Sequence, residues 1–150
     1  MSKVSEPKIK KWRAATSLVR GGTKRSEFDE TSEGIFMTSG YVYDSAENAE
    51  AAFKGESTRY IYSRYANPTV TMFEERLALL EGAEYCVGTS SGMAAVFASL
   101  LSQLKAGERV VASHALFGSC HYIIHDMLPN FGIDIQFVDG TDLVQWEAAL

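Results

Sequence analysis

The sequence predicts an α/β fold, and three observations carry that reading. From Tyr60 onward, apolar runs of about five residues alternate with helical stretches of ten or more. The helical stretches carry their own start and stop residues. A turn of small residues, Thr89-Ser90-Ser91-Gly92, separates the first run from the helix that follows it. Strands joined through helices need crossover connections, so the sheet is expected to be mostly parallel and covered on both faces.

The elements follow in order. Residues 1–59 show no sustained period and read as an amino-terminal arm, passing through Gly21-Gly22 and GIFMTSGYVY. Within it, SAENAEAAFKG is a helix candidate: Ser45 caps it, Ala49, Ala52 and Phe53 share a face, and Gly55 stops it. Trp12, Phe28, Phe36, Tyr41 and Tyr43 are scattered along the arm, which needs a surface to lie on. Residues 60–150 read as the first part of an α/β domain. NPTVTMFEERLALLEG starts at Pro68, repeats Val70, Phe73, Leu77 and Leu80 at helical spacing, and ends at Gly82. YCVG is a strand candidate, GMAAVFASLLSQLKAG an apolar helix, RVVAS a strand, FGSCHYIIHDMLPNFG a helix and IDIQFVDG a strand. TDLVQWEAAL opens a last helix capped by Thr141 or Asp142. Three strands are few for a parallel sheet with two covered faces, so the chain is expected to be the amino-terminal portion of a longer protein.

Composition narrows the function. At 150 residues the chain is long enough to bury roughly 70% of its unfolded surface, and 46% hydrophobic with 22% charged residues describes a globular protein. Residues 1–25 hold eight Lys and Arg against one acid, a charge of +7; the remainder holds six against eighteen, a charge of -12. An acidic body repels phosphate backbones, so nucleic acid is not the expected partner. Cys86 and Cys120 are too few for a disulfide framework and lie among apolar residues, which points to buried thiols in a reducing compartment. No run approaches the ~18 apolar residues of a membrane span, and the start lacks the apolar core of a signal peptide. A cytoplasmic protein is expected.

Several places carry chemistry. In an open α/β sheet, ligands gather at the carboxyl ends of strands. The turn Gly88-Thr89-Ser90-Ser91-Gly92-Met93 offers small residues, hydroxyls and a helix amino terminus, which suit a phosphate; the alternative is a tight turn that needs small residues. It has neither the GK[ST] of a P-loop nor a third glycine. Tyr62 and Arg64, two apart in an extended stretch, project the same way and can grip one anion; a surface arginine beside an aromatic ring is the alternative. Phe117, directly after RVVAS, could stack on a flat ligand or pack on the core. His121 and His125 have metal-ligand spacing in the helix, but no Glu of the HExxH type accompanies them and His114 lies on an earlier segment; ordinary helix residues and no metal are expected.

YSRYANPTVTMFEERLALLEGAE, followed by TSSGMAAV and LFGS, resembles the pyridoxal-phosphate (PLP) enzymes of cysteine and methionine metabolism, the family of the cystathionine gamma-synthases, cystathionine lyases, methionine gamma-lyases and sulfhydrylases. The arm segment TKRSEFDETSEGIFMTSGYVYDSAENAEAAFKGE and the later DLVQWEAAL most resemble the sulfhydrylase branch. The resemblance implies PLP fold type I, the large aspartate-aminotransferase-like domain, with PLP as cofactor. It implies that Gly92 and Met93, with Ser91 beside them, hold the cofactor phosphate through backbone N–H groups. Tyr62 and Arg64 match the pair that reaches the phosphate of a neighbouring subunit's cofactor, which makes the arm an inter-subunit clamp in a homo-oligomer, a dimer of dimers. Phe117 matches the ring stacked on the pyridine, where most of the family has tyrosine; a phenol available for proton transfer is thereby removed. The implied reaction is replacement of the succinyl group of O-succinylhomoserine by sulfide, giving homocysteine, with cystathionine synthesis or methionine elimination as alternatives.

The lysine that carries the cofactor, the acid facing its pyridine nitrogen and the arginine for the substrate carboxylate all lie, in the family, beyond residue 150. Lys3, Lys8, Lys10, Lys11 and Lys24 are in the arm, Lys54 and Lys105 flank helices, and none matches that lysine; Asp139 does not match the acid. A second reading follows from this: a non-catalytic module that binds a phosphate metabolite through the same turn.

Overall fold

The computed structural model describes residues 12–150, which form two compact units, 12–88 and Thr89–Leu150. The expectations for Lys3, Lys8, Lys10 and Lys11 lie outside the described residues.

The first unit holds α1 (Ala14–Arg20), α2 (Ala46–Phe53) and α3 (Pro68–Glu81). α3 is built as its sequence dictates. The Asn67 side chain accepts the Thr69 N–H, Pro68 occupies the first turn where its missing N–H costs nothing, and Gly82 closes the helix at φ 65°. α2 is capped by Ser45, whose hydroxyl accepts the Asn48 N–H at 3.2 Å, and it buries Ala52. α1 was not signalled by any period, and no side chain caps it. It packs on α3.

The arm segment after α1 is tied to α3 of its own chain. Arg76 donates to the Gly21 carbonyl at 2.9 Å and pairs with Glu33, Lys24 meets Glu75 at 3.2 Å, and the Phe36 N–H donates to Thr69 Oγ1 at 2.9 Å. These bonds decide which face of α3 is covered. Pro68, Thr71, Met72, Glu75 and Ala78 are buried, whereas Val70, Phe73 and Leu77 of the expected apolar stripe are 45%, 57% and 37% exposed.

The second unit runs α4 (Gly92–Leu101), β1 (Arg109–Ser113), α5 (Gly118–Tyr122), β2 (Asp134–Val138) and α6 (Leu143–Ala149). β1 and β2 pair in parallel, in register from Arg109 opposite Asp134 to Ser113 opposite Val138. The core is Ala112, Ile124, Leu128 and Ile133, flanked by Leu100, Leu101, Leu104, Val110, Leu116, Ile135 and Phe137. Asp142, rather than Thr141, caps α6, accepting the Val144 and Gln145 N–H groups.

Three elements differ from expectation. YCVG is not a strand: residues 85–88 pair with no neighbour among the described residues, and the Gly88 N–H instead donates to the Glu74 carboxylate at 2.7 Å. The helix expected over FGSCHYIIHDMLPNFG is α-helical only to Tyr122, widens to a π-turn over Ile123–Met127 and tightens to 3₁₀ over Leu128–Phe131. Pro129 explains the change, since it has no N–H and its ring opposes the carbonyl four residues earlier. α4, nearly all apolar, buries no residue fully. Cys86 and Cys120 are free thiols, half-buried rather than buried. No helix among the described residues is long and apolar enough to cross a membrane.

Candidate phosphate-binding site

Tyr62 and Arg64 lie in a turn that the sequence fixes at both ends. Tyr62 bridges antiparallel to Gly40, and the Ser63 N–H donates to the Ser39 carbonyl at 2.9 Å. Asn67, besides capping α3, donates to the Phe36 carbonyl at 2.9 Å and to Ser63 Oγ at 3.0 Å. The Tyr65 N–H donates to the Tyr62 carbonyl at 2.8 Å, which folds the chain back and brings both rings to Arg64. The guanidinium carbon sits 5.4 Å from the Tyr62 ring centroid and 4.8 Å from that of Tyr65. Arg64 is exposed and has no ion pair or hydrogen bond among the described residues. A cavity beside it is bounded by Asn67, Glu74 and Gly88.

Ser91, Gly92 and Met93 start α4 in the second unit. Ser91 is the cap: its hydroxyl accepts the Ala94 N–H at 3.1 Å and its carbonyl accepts that of Ala95 at 3.0 Å. Thr89 Oγ1 donates to the same carbonyl at 2.8 Å and braces the turn. The N–H groups of Gly92 and Met93 precede the first intrahelical bond and are left for an outside acceptor. A Cβ at Gly92 would meet nothing within 4 Å, so an anion can approach the backbone closely. Two backbone donors, a hydroxyl and a helix dipole of ten residues suit a phosphate.

Phe117 follows β1 in this unit. The His114 N–H extends the ladder to the Val138 carbonyl at 3.1 Å, Ala115 donates to Ser113 Oγ at 3.1 Å, and Leu116 donates to the His114 carbonyl at 3.0 Å. This tight path turns the chain and leaves the Phe117 ring 72% exposed at the carboxyl end of β1, not packed on the core.

The remaining candidates have other engagements. His114, His121 and His125 gather on Phe137, with ring centroids 5.1, 4.9 and 6.0 Å from it, and His121 stacks on His125 at 5.3 Å. Near-parallel rings present faces to one another rather than converging nitrogens. Among the described residues, no group of three or more His, Cys, Asp or Glu is placed to hold a metal ion. Backbone and side-chain hydrogen bonds from Thr141 hold the Asp139 carboxyl below the ordinary carboxylate range. Burial, helped by the charge of Glu74, pushes the Cys86 thiol up and away from thiolate chemistry. Lys24 and Lys54 are committed to Glu75 and Glu50. Sequence reasoning missed Tyr65; its i,i+3 spacing from Tyr62 carries meaning only once the turn is known.

A family model described as "Cys/Met metabolism PLP-dependent enzyme" matches residues 15–150. O-succinylhomoserine sulfhydrylase of Mycobacterium tuberculosis is 57% identical over 136 residues, which are 91% of this chain and 34% of that protein. L-methionine gamma-lyase of Fusobacterium nucleatum subsp. polymorphum is 37% identical over 94% of this chain and 36% of its own length. Among solved structures, a Campylobacter jejuni protein assigned as an O-acetylhomoserine (thiol)-lyase, crystallised with a pyridoxyl-lysine monophosphate residue, superposes with a TM-score of 0.84 at 29% identity, over 93% of this chain and 33% of that one. The chain thus spans about a third of the length of the relatives it matches.

Proposed function

The chain belongs to the Cys/Met metabolism PLP-dependent enzyme family, and on that premise we propose that the whole protein replaces the γ-succinyloxy group of O-succinylhomoserine with sulfide, breaking the Cγ–O bond to release succinate and forming the Cγ–S bond of homocysteine. The 57% identity to an O-succinylhomoserine sulfhydrylase, against 37% to a methionine gamma-lyase, is the observation that carries this reading.

The cofactor, when bound, supplies an electron sink for the amino-acid substrate. This chain's share is to hold and orient it. The Gly92 and Met93 N–H groups and the dipole of α4 receive its phosphate, with the Ser91 hydroxyl holding the helix start open for it. The exposed Phe117 ring offers a face on which the pyridine stacks. It carries no ionisable group, so acid-base work falls to other residues. Tyr62 and Arg64 reach the phosphate bound by a neighbouring subunit, so the site is shared and the assembly is at least a dimer, as a dimer of dimers. The two free thiols suit a reducing compartment, and we place the reaction in the cytoplasm.

The test supplies the whole protein with O-succinylhomoserine and either sulfide or cysteine, and separately with methionine. Homocysteine formed faster than cystathionine, with little elimination from methionine, is expected. Faster cystathionine formation, or methionine cleavage as the dominant activity, would replace the sulfhydrylase reading with another of the family. Phosphate binding without any turnover would leave a non-catalytic module.

A further inference from the structure

We propose that Tyr65 is a positioning residue for Arg64, holding the guanidinium plane so that its N–H edge stays presented to a phosphate group. The proposal rests on Arg64 serving as a phosphate ligand. Of the two rings against the guanidinium, that of Tyr65 is the nearer, at 4.8 Å against 5.4 Å for Tyr62. The rings meet edge to face, with centroids 6.4 Å apart and planes at 69°, and form two walls of one corner. The rings meet the charge through their faces without accepting its N–H groups in conventional hydrogen bonds, so the donors stay free for the bidentate geometry that phosphate takes.

The Tyr65 ring has no other visible task. It is 62% exposed, so it contributes little to any core, and its hydroxyl has no hydrogen bond among the described residues. The backbone that carries it is nonetheless fixed, because the Tyr65 and Ala66 N–H groups both donate to the Tyr62 carbonyl, at 2.8 and 3.2 Å, and the ring rests edge to face against that of Tyr62. An arginine otherwise free in its side-chain torsions must be ordered when an anion binds; a ring that orders it beforehand removes part of that cost.

The experiment compares Tyr65→Leu, Tyr65→Phe, Arg64→Ala and the Arg64→Ala/Tyr65→Leu double variant in the whole holoenzyme. PLP affinity is read from cofactor absorbance on dialysis, and thermal unfolding is measured on the apo-proteins. Tyr65→Leu is expected to weaken PLP binding roughly two- to fivefold, the range of an exposed cation–π contact. Tyr65→Phe should bind as wild type, and Tyr65→Leu should add nothing in the Arg64→Ala background. Wild-type affinity in Tyr65→Leu, equal damage from Tyr65→Phe, or an undiminished effect without Arg64 would each overturn the proposal. Should Arg64→Ala itself hold PLP as tightly as wild type, the reading of Arg64 as a phosphate ligand fails, and the positioning role with it.

Discussion

Arg76 donates from Nε to the carbonyl of Gly21, 2.9 Å away and 55 residues earlier in the chain. The same guanidinium reaches Thr23 Oγ1 at 3.4 Å and pairs with Glu33, so one side chain of α3 gathers three points of the arm. The contact requires Gly21-Gly22 to run against the helix. Gly22 has φ 68°, and a Cβ there would stand 3.0 Å from both the Glu75 Cβ and the Met72 carbonyl oxygen. Gly22→Ala should therefore cost roughly 1–3 kcal/mol, from left-handed backbone and crowding together, measured by denaturant unfolding. Gly40→Ala, where a Cβ meets nothing within 4 Å, is the near-neutral control. Equal midpoints for the two variants would mean the arm does not lie on α3.

The Arg76 hydrogen bond to Glu33 makes this attachment depend on pH. That bond, more than any other influence, holds the Glu33 carboxyl below the ordinary glutamate range. A carboxylate with a lowered folded-state pKa contributes stability above the unfolded value and loses it as pH falls through the folded one. Protection of residues 20–36 against amide exchange should fall on acidification below the ordinary glutamate range. In Glu33→Gln the fall should be shallower, starting from weaker protection at neutral pH. Identical pH profiles for the two proteins would remove Glu33 from the account.

Ser91 separates helix capping from phosphate binding. Ser91→Ala removes the acceptor for the Ala94 N–H and should cost about 1 kcal/mol of apo-protein stability. Ser91→Asp keeps an equally good cap, so the apo-protein should melt near wild type. It also sets a negative charge where the cofactor phosphate is proposed to sit, and PLP affinity should drop at least about tenfold. Unchanged PLP affinity in Ser91→Asp would place the phosphate elsewhere.

Local signals were legible wherever a single side chain decides a boundary. Pro68 and Gly82 bound α3, Ser45 starts α2, and the start of α6 narrows to Thr141 or Asp142, of which Asp142 is the cap, because each end is a local hydrogen-bond problem with few solutions. Features set by distant partners were not legible. The buried face of α3 is chosen by Arg76, Glu75 and the arm rather than by its most apolar stripe, and residues 85–88 pair with no neighbouring strand. The π-turn over Ile123–Met127 arises from Pro129 inside an otherwise continuous pattern. At the candidate site the residue types of Tyr62, Arg64, Ser91, Gly92, Met93 and Phe117 were readable from spacing and resemblance. The place of Tyr65 depends on the turn closed by the Tyr62 carbonyl, which spacing alone does not reveal.

The proposed sharing of the site between subunits predicts complementation. Arg64→Ala should weaken cofactor binding, since a charge-assisted contact contributes roughly 1.5–3 kcal/mol. Mixed with a variant lacking the cofactor-carrying lysine, it should recover part of the activity. In the hybrid dimer one site receives both defects and the other neither. Absence of recovery in demonstrably mixed dimers would show that Arg64 acts within its own subunit.

Phe117 offers the cleanest separation of cofactor binding from folding. A buried phenylalanine would lose roughly 3–5 kcal/mol of stability on truncation to alanine, which would obscure any effect on a ligand. At 72% exposure the ring has little burial to lose, so apo Phe117→Ala should unfold within about 0.5 kcal/mol of wild type. If the ring stacks on the pyridine, the same substitution removes a contact between aromatic faces, and PLP affinity should fall about two- to tenfold. Phe117→Tyr keeps the face and should bind PLP as wild type, whatever its added hydroxyl does to turnover. Paired titrations and apo-protein melts of both variants in the whole protein decide the matter. A large drop in apo stability with unchanged PLP affinity would make Phe117 a packing residue, covered by parts of the whole protein rather than by the cofactor.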